Sequence, residues 1–191
     1  MRRAITLGAA TALAAGVLAA CSSGESGTAT TVASNTAPAT ATAQATTSTQ
    51  VAAWNPCDIP DSDVSAVGLN PSTKQANGPG GVKFPGVDVC SWLGQKANWY
   101  QLNIYSDHSH TYDEVVHNTT LYKDPEPVTV DGRPGTQLVS ATSENDCTIA
   151  INAKSNPVQF QISSKLGAKQ PGDACTEVTQ VAAVLVKNIP S

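Results

Sequence analysis

Apolar and polar residues alternate along several stretches of the chain. Cys147, Ile149, Ile151 and Ala153 alternate against polar neighbours, and Val158, Phe160 and Ile162 do the same, the period-two signature of half-buried strands. Asn156-Pro157 between them predicts the turn of a hairpin. Val89 to Leu93 and Asn98 to Tyr105 predict a second hairpin, turning at Gly94-Gln95-Lys96-Ala97. In its second strand Tyr100, Leu102 and Ile104 share one face, with Trp99, Asn103 and Tyr105 on the other. Val128-Thr129-Val130 leads into a turn over Asp131-Gly132-Arg133-Pro134-Gly135 and a strand from Thr136 to Ala141.

The period lengthens elsewhere. After Asp173, an N-cap residue, Val178, Val181, Ala182 and Leu185 fall at helical spacing. Asp61-Ser62-Asp63-Val64 predicts a short helix with an acidic first turn, ended by Gly68. Thr111-Tyr112-Asp113-Glu114 fits a capping box, so a helix is expected to run towards Tyr122 and to stop before Pro125. Asn70 to Pro85, rich in Gly and Pro, reads as a loop. Paired strands with helices before, between and after them predict an α+β fold, an antiparallel sheet with helices packed on one face. There is no internal repeat and no parallel βαβ pattern.

The first residues change the picture. Met1-Arg2-Arg3 precedes an apolar run from Ala4 to Ala20, and Leu18-Ala19-Ala20 stands directly before Cys21. That three-part layout is a signal peptide, and the placement of the cysteine resembles the bacterial lipobox, in which it becomes the acylated first residue of the mature chain. An ordinary secretory signal with an incidental cysteine, or a retained membrane helix, are the rival readings. The run is Ala- and Gly-rich, falls short of the roughly 20 strongly apolar residues of a spanning helix, and has no Lys or Arg after it to stop transfer. One acyl chain binds membranes marginally and two hold firmly, so a diacylated Cys21 is expected to anchor the protein.

From Cys21 to Ala53 the chain is Ser, Thr, Ala and Gly with little else, and Glu25 is its only charge. Such a composition cannot bury enough apolar surface to order itself. It is expected to be a disordered tether with a reach of roughly 30 Å, and its threonines permit O-linked sugars. The organisation expected is therefore a signal peptide over residues 1–20, an acylated tether over 21–53 and one globular domain over 54–191.

Charge and cysteines narrow the function classes. The net charge is -4, and the lysines and the arginine of residues 54–191 form no basic stripe, which excludes nucleic acid as a natural partner. Four cysteines follow the anchor: Cys57, Cys90, Cys147 and Cys175. An even number in an exported domain reads as two disulfides. Three connectivities are open, and sequence alone does not choose among them. The expectation taken is Cys57–Cys90 and Cys147–Cys175, each joining chain neighbours and tying a helix-bearing segment to a strand. No CxxC pair offers a zinc site.

The three histidines share one window, His108, His110 and His117. On a helix Asp113 and His117 lie four apart on one face, as metal ligands do, and His108 or His110 could add a nitrogen from the preceding loop. Caps and solvated loop account for the same residues more simply. No cofactor is implied. No nucleophile elbow, SxxK, HExxH or phosphate-cradling loop is present. Gly78-Pro79-Gly80-Gly81 leads towards a strand rather than opening a helix, and Asp58, Asp61 and Asp63 suit a helix start better than calcium.

Asn55-Pro56-Cys57-Asp58-Ile59-Pro60-Asp61, Val67-Gly68-Leu69, Val89-Cys90-Ser91-Trp92, Cys147-Thr148-Ile149 and Asp173-Ala174-Cys175, together with the lipobox and tether, form a set. They resemble the actinobacterial lipoproteins known as domain of unknown function 3558. The resemblance implies an exported lipoprotein of a mycobacterial or nocardial type of envelope and brings no activity with it. The function expected is a non-enzymatic binding module, anchored on the extracytoplasmic face of the cell membrane, for an envelope protein, lipid or glycan. A structural or accessory subunit of an envelope complex, and a metal-binding or hydrolytic module using the histidine window, are the alternatives. An apolar cavity between sheet and helices would favour lipid, a flat apolar face a protein, and convergence of two histidines with a carboxylate a metal.

Overall fold

In a computed structural model, residues 54–95, 99–154, 156–165, 168 and 172–190 are described. The expected signal peptide, Cys21 and the expected tether lie outside the described residues, as do Lys96 and Ala97 of the predicted Gly94–Ala97 turn and the neighbouring Asn98. Seven strands form one sheet: β1 Leu69–Ala76, β2 Val87–Gly94, β3 Tyr100–Asp107, β4 Tyr122–Val130, β5 Arg133–Ser140, β6 Cys147–Asn152 and β7 Pro157–Ser164. Their order is β1-β2-β3-β7-β6-β5-β4, and every neighbouring pair is antiparallel. The helices are α1 Asp61–Ala66, α2 Tyr112–Val116 and α3 Ala174–Leu185.

One face of the sheet carries the main core. Period-two alternation places Cys90 and Trp92 of β2, Leu102 and Ile104 of β3, Phe160 and Ile162 of β7, and Ile149 and Ile151 of β6 there, all fully buried. The apolar stripe of α3 closes over them with Val178, Val181, Ala182 and Leu185, the residues its spacing predicts. Asp173 caps this helix by accepting from the Thr176 N–H at 2.6 Å. Val64 of α1 completes the cover. Both expected disulfides are present, Cys57–Cys90 and Cys147–Cys175, with Cα separations of 5.2 and 5.0 Å. Each pins a flanking segment, the Pro56–Asp58 turn or α3, to a core-facing strand position. The Trp92 indole N–H is buried without a partner among the described residues, and nothing in the structure explains it.

Five expectations are corrected. The segment expected as a loop from Asn70 contains the edge strand β1, which escapes a periodicity search because only Leu69 of it is buried. Pro71 is tolerated because an edge strand needs ladder bonds on one side only. Between Asn70 and Gln75 the register shifts, and there the Thr73 hydroxyl accepts from the Leu93 N–H at 2.9 Å.

Secondly, α2 ends at Val116 rather than nearing Tyr122. The Asn118 side chain accepts from the N–H groups of Thr120 and Leu121 at 3.2 and 3.3 Å, a local turn that competes with helix. Tyr122 and Pro125 then belong to β4, where a register shift between Lys123 and Glu126 absorbs the proline. Thirdly, Trp99 is not on the second face of β3. It precedes the strand and packs into the main core, edge-on to Tyr100 at 4.9 Å. Fourthly, the helices do not all share one face: α2 sits opposite α1 and α3, its Val115 and Val116 on Leu138 and Ala150. The five-residue turn foreseen before β5 tightens to Asp131-Gly132, both with positive φ (45° and 78°), the two-residue hairpin that an Asp-Gly pair favours.

Candidate functional site

The histidine window opens into three separate pairs. His108 Nε2 lies 3.1 Å from Asp88, His110 Nδ1 2.9 Å from Asp107, and His117 Nδ1 3.1 Å from Asp113. Asp113 and His117 meet as their spacing predicts, but neither of the other histidines joins them. Among the described residues no group of three potential ligands could hold a metal ion. The capping box of Thr111 and Glu114 is formed in both directions, so the start of α2 uses its polar side chains on its own backbone. The acids in the first turn of α1 are likewise engaged: Asp61 pairs with Lys74 at 3.0 Å, and Asp63 with Lys187 at 2.9 Å and Asn188 at 3.1 Å.

The Asp107 carboxylate organises the end of β3. One oxygen accepts from the Ser109 N–H, the Ser109 hydroxyl and the His110 N–H at 2.9, 2.9 and 3.1 Å, and the other faces the His110 ring. Burial alone would raise its pKa, but these hydrogen bonds outweigh the burial and hold the carboxyl below its ordinary value. Gly86 lies against this turn: its φ is 74°, a Cβ there would stand 2.8 Å from the Ser109 Cβ, and its carbonyl accepts from the His108 N–H at 2.7 Å.

The sheet face opposite the main core has room for a ligand, as does a more open concavity of about 560 Å³ between His108–Asp113 and Asn152–Lys154. Along the central strand β7 and its neighbour β3 the sheet face presents Gln101, Asn103 and Tyr105 beside Ser163, Gln161 and Gln159. None of these six is charged. Here α2 covers only the Leu138–Ala150 end, with Tyr112 and Tyr122 packed beside it. The uncovered part is a groove of about 570 Å³, walled by Phe84, Pro85 and Val87 on one side and Leu121 and Tyr122 on the other. Phe84 and Leu121 are 44% and 53% exposed, so the rim offers apolar surface.

Hydrogen bonds set the polarity of the floor. Tyr105 donates its hydroxyl to the Gln161 side-chain oxygen at 3.0 Å, and Tyr122 donates to the Gln159 side-chain oxygen at 2.7 Å. Burial raises both phenols above their ordinary pKa; Tyr122 and Asp146 add to the rise at Tyr105, and Asp107 to that at Tyr122. They therefore remain neutral donors. Asn103 bridges the same layer, accepting from Ser91 at 2.8 Å and donating to Gln161 at 3.3 Å. Asp146, at the groove margin, accepts from the Ser164 N–H at 2.9 Å through one oxygen.

Sequence reasoning placed Asn103 and Tyr105 on the second face of β3 but did not reach Gln159, Gln161, Asp107 or Asp146. Glutamines alternating with Val158, Phe160 and Ile162 read as an ordinary solvated face. The signal available was a face of two adjacent strands with no charge until Asp107 at the end of β3, unusual where only water is faced. Of the large aromatic residues, Trp92, Trp99 and Tyr100 are core, Trp54 packs against it, and Tyr105 and Tyr122 line the groove.

The fold and site thus define an α+β domain braced by two disulfides, with one packed face and one grooved face whose floor is polar and whose margin is acidic. The chain belongs to the family described as protein of unknown function (DUF3558), whose model matches residues 16–188. This bears out the family resemblance of the cysteine-bearing segments. No curated protein and no solved structure matches the chain.

Proposed function

We propose that the protein is a lipoprotein of an actinobacterial, mycobacterial- or nocardial-type envelope, held to the extracytoplasmic face of the cell membrane through Cys21. Its folded domain is a non-enzymatic binding module with the groove as its binding site. The groove itself carries this reading. A concavity with a polar floor and an apolar rim, inside the roughly 300–1,000 Å³ range of small-molecule sites, lies on the sheet face that the helices leave largely open. The anchor is supported by the signal layout before Cys21. The two disulfides support an oxidising compartment. The binding role is supported by what the groove residues do: His110 is turned to Asp107, the phenols to glutamines, and the Ser109 hydroxyl, 3.2 Å from His110 Nδ1, donates to the Asp107 carboxylate.

The test has two arms. Cys21→Ala should move the protein from the membrane fraction to the soluble one; unchanged partition overturns the anchor. A photo-crosslinking residue placed at Leu121, on the groove rim, should capture envelope material in intact cells. The same residue at Val184, exposed on α3, should not; equal capture at both positions overturns the assignment of the site.

A further inference from the structure

We propose that the groove binds an uncharged, polyhydroxylated group, a sugar ring, against Tyr105, Tyr122, Gln159, Gln161 and Asp146. This inference rests on the groove being the binding site and names the chemistry it selects. Four observations carry it.

The first is the arrangement of donors and acceptors. The side-chain oxygens of Gln159 and Gln161 are occupied by the two phenols. Their NH2 groups, which can only donate, have no partner among the described residues. Asp146 uses one oxygen on the Ser164 N–H and keeps the other, which can only accept. Fixed donors therefore stand beside a fixed acceptor. A hydroxyl both donates and accepts, so a ring bearing several satisfies both kinds at once. A hydrocarbon would bury the amide donors unpaired, at a cost comparable to a lost hydrogen bond each.

The second is charge. No Lys or Arg lines the groove, whereas Asp107 and Asp146 do. With its carboxyl held charged by hydrogen bonds, Asp107 repels phosphates, sulfates and uronic acids. The third is the rim, where Phe84, Pro85 and Leu121 offer apolar surface to the C–H face of a ring. The fourth weighs against a peptide. The backbone groups of β3 and β7 are spent on their neighbours in the sheet, so an extended chain lying on this face gains no main-chain pairing. Peptides that add to sheets do so at an edge.

A sugar ring could come from a free wall glycan or from the head of a glycolipid. The experiment uses the full chain reconstituted in phosphatidylcholine nanodiscs, free of sugar-based detergents. It is offered an array of neutral hexose and pentose oligosaccharides, their uronic-acid counterparts, and neutral glycolipids with the same heads. Retention of neutral sugars, with at least about tenfold weaker binding of the matched uronic acids, is the expected result. Gln161→Glu keeps the shape but replaces the donor with a charge, and should weaken binding about tenfold. Asp146→Asn should narrow the gap between neutral and acidic sugars, and circular dichroism of both variants controls for folding. Stronger binding of lipid-linked than free sugar assigns the glycolipid source; equal binding assigns the free glycan.

Failure to retain any neutral sugar, equal binding of the uronic acids, or indifference to Gln161→Glu overturns the sugar assignment. The Leu121 crosslinker separates that failure from a failure of the site. Capture there of a protein or a sugar-free lipid leaves the groove as the binding site and removes the sugar, whereas no capture at all removes both.

Discussion

Asp107 holds three hydrogen bonds and the His110 ring with a single carboxylate, which makes one turn at the groove margin depend on one charge. Its folded pKa is depressed, so its contribution is present at pH values above the ordinary carboxylate range and is lost as pH falls through the folded value. Thermal midpoints followed from neutral pH down should therefore hold steady above about pH 5 and fall below about pH 4. Asp107→Asn should flatten part of that acid limb, and Asp107→Ala, which strands the donors, should cost about 1–3 kcal/mol at neutral pH. An acid limb identical in wild type and Asp107→Asn contradicts this. At this scale the sequence was a partial guide. It marked the histidines and paired His117 with Asp113, a contact four residues apart on one helix. It could not pair His108 with Asp88, because that contact is made across the β2–β3 neighbourhood rather than along the chain.

The elements divide by how much of their surface is buried. β2, β3, β6 and β7 were legible because each buries every second side chain in one core, and α3 because its stripe is complete. β1 was hidden since it packs one residue and is otherwise an exposed edge. The length of α2 was misjudged because Asn118 ends it through side-chain bonds that compete with helix. Its start was read correctly, since the Thr111 and Glu114 reciprocal bonds are a local matter three residues apart. Thr111→Ala should accordingly destabilise the domain by about 1 kcal/mol. Amide exchange should speed up first over α2 and the neighbouring Leu121–Tyr122 wall of the groove, with β2, β3 and β7 unaffected. Uniform loosening across the sheet would mean that α2 is not an independent cover.

The whole molecule shows what one chain can and cannot announce. Fold class was within reach, since alternation and helical spacing are local signals; of the three open cysteine connectivities, the one joining chain neighbours is the one formed. The groove was not, because Tyr105 and Gln161 are 56 residues apart and meet only when β7 returns beside β3. Removing the Cys147–Cys175 bond by a double Ser substitution releases α3 from β6 and should cost about 2–5 kcal/mol in a denaturant titration. Mild reductant should shift the wild-type midpoint in the same direction.

All but Leu138 of the largest fully buried side chains, together with both disulfides, belong to the packed side of the sheet. Substitutions across the floor of the opposite side therefore leave the supports of the scaffold untouched. A designer could exchange the amides and phenols there to suit a different guest while keeping the architecture, which makes this small domain a ready chassis for respecified recognition.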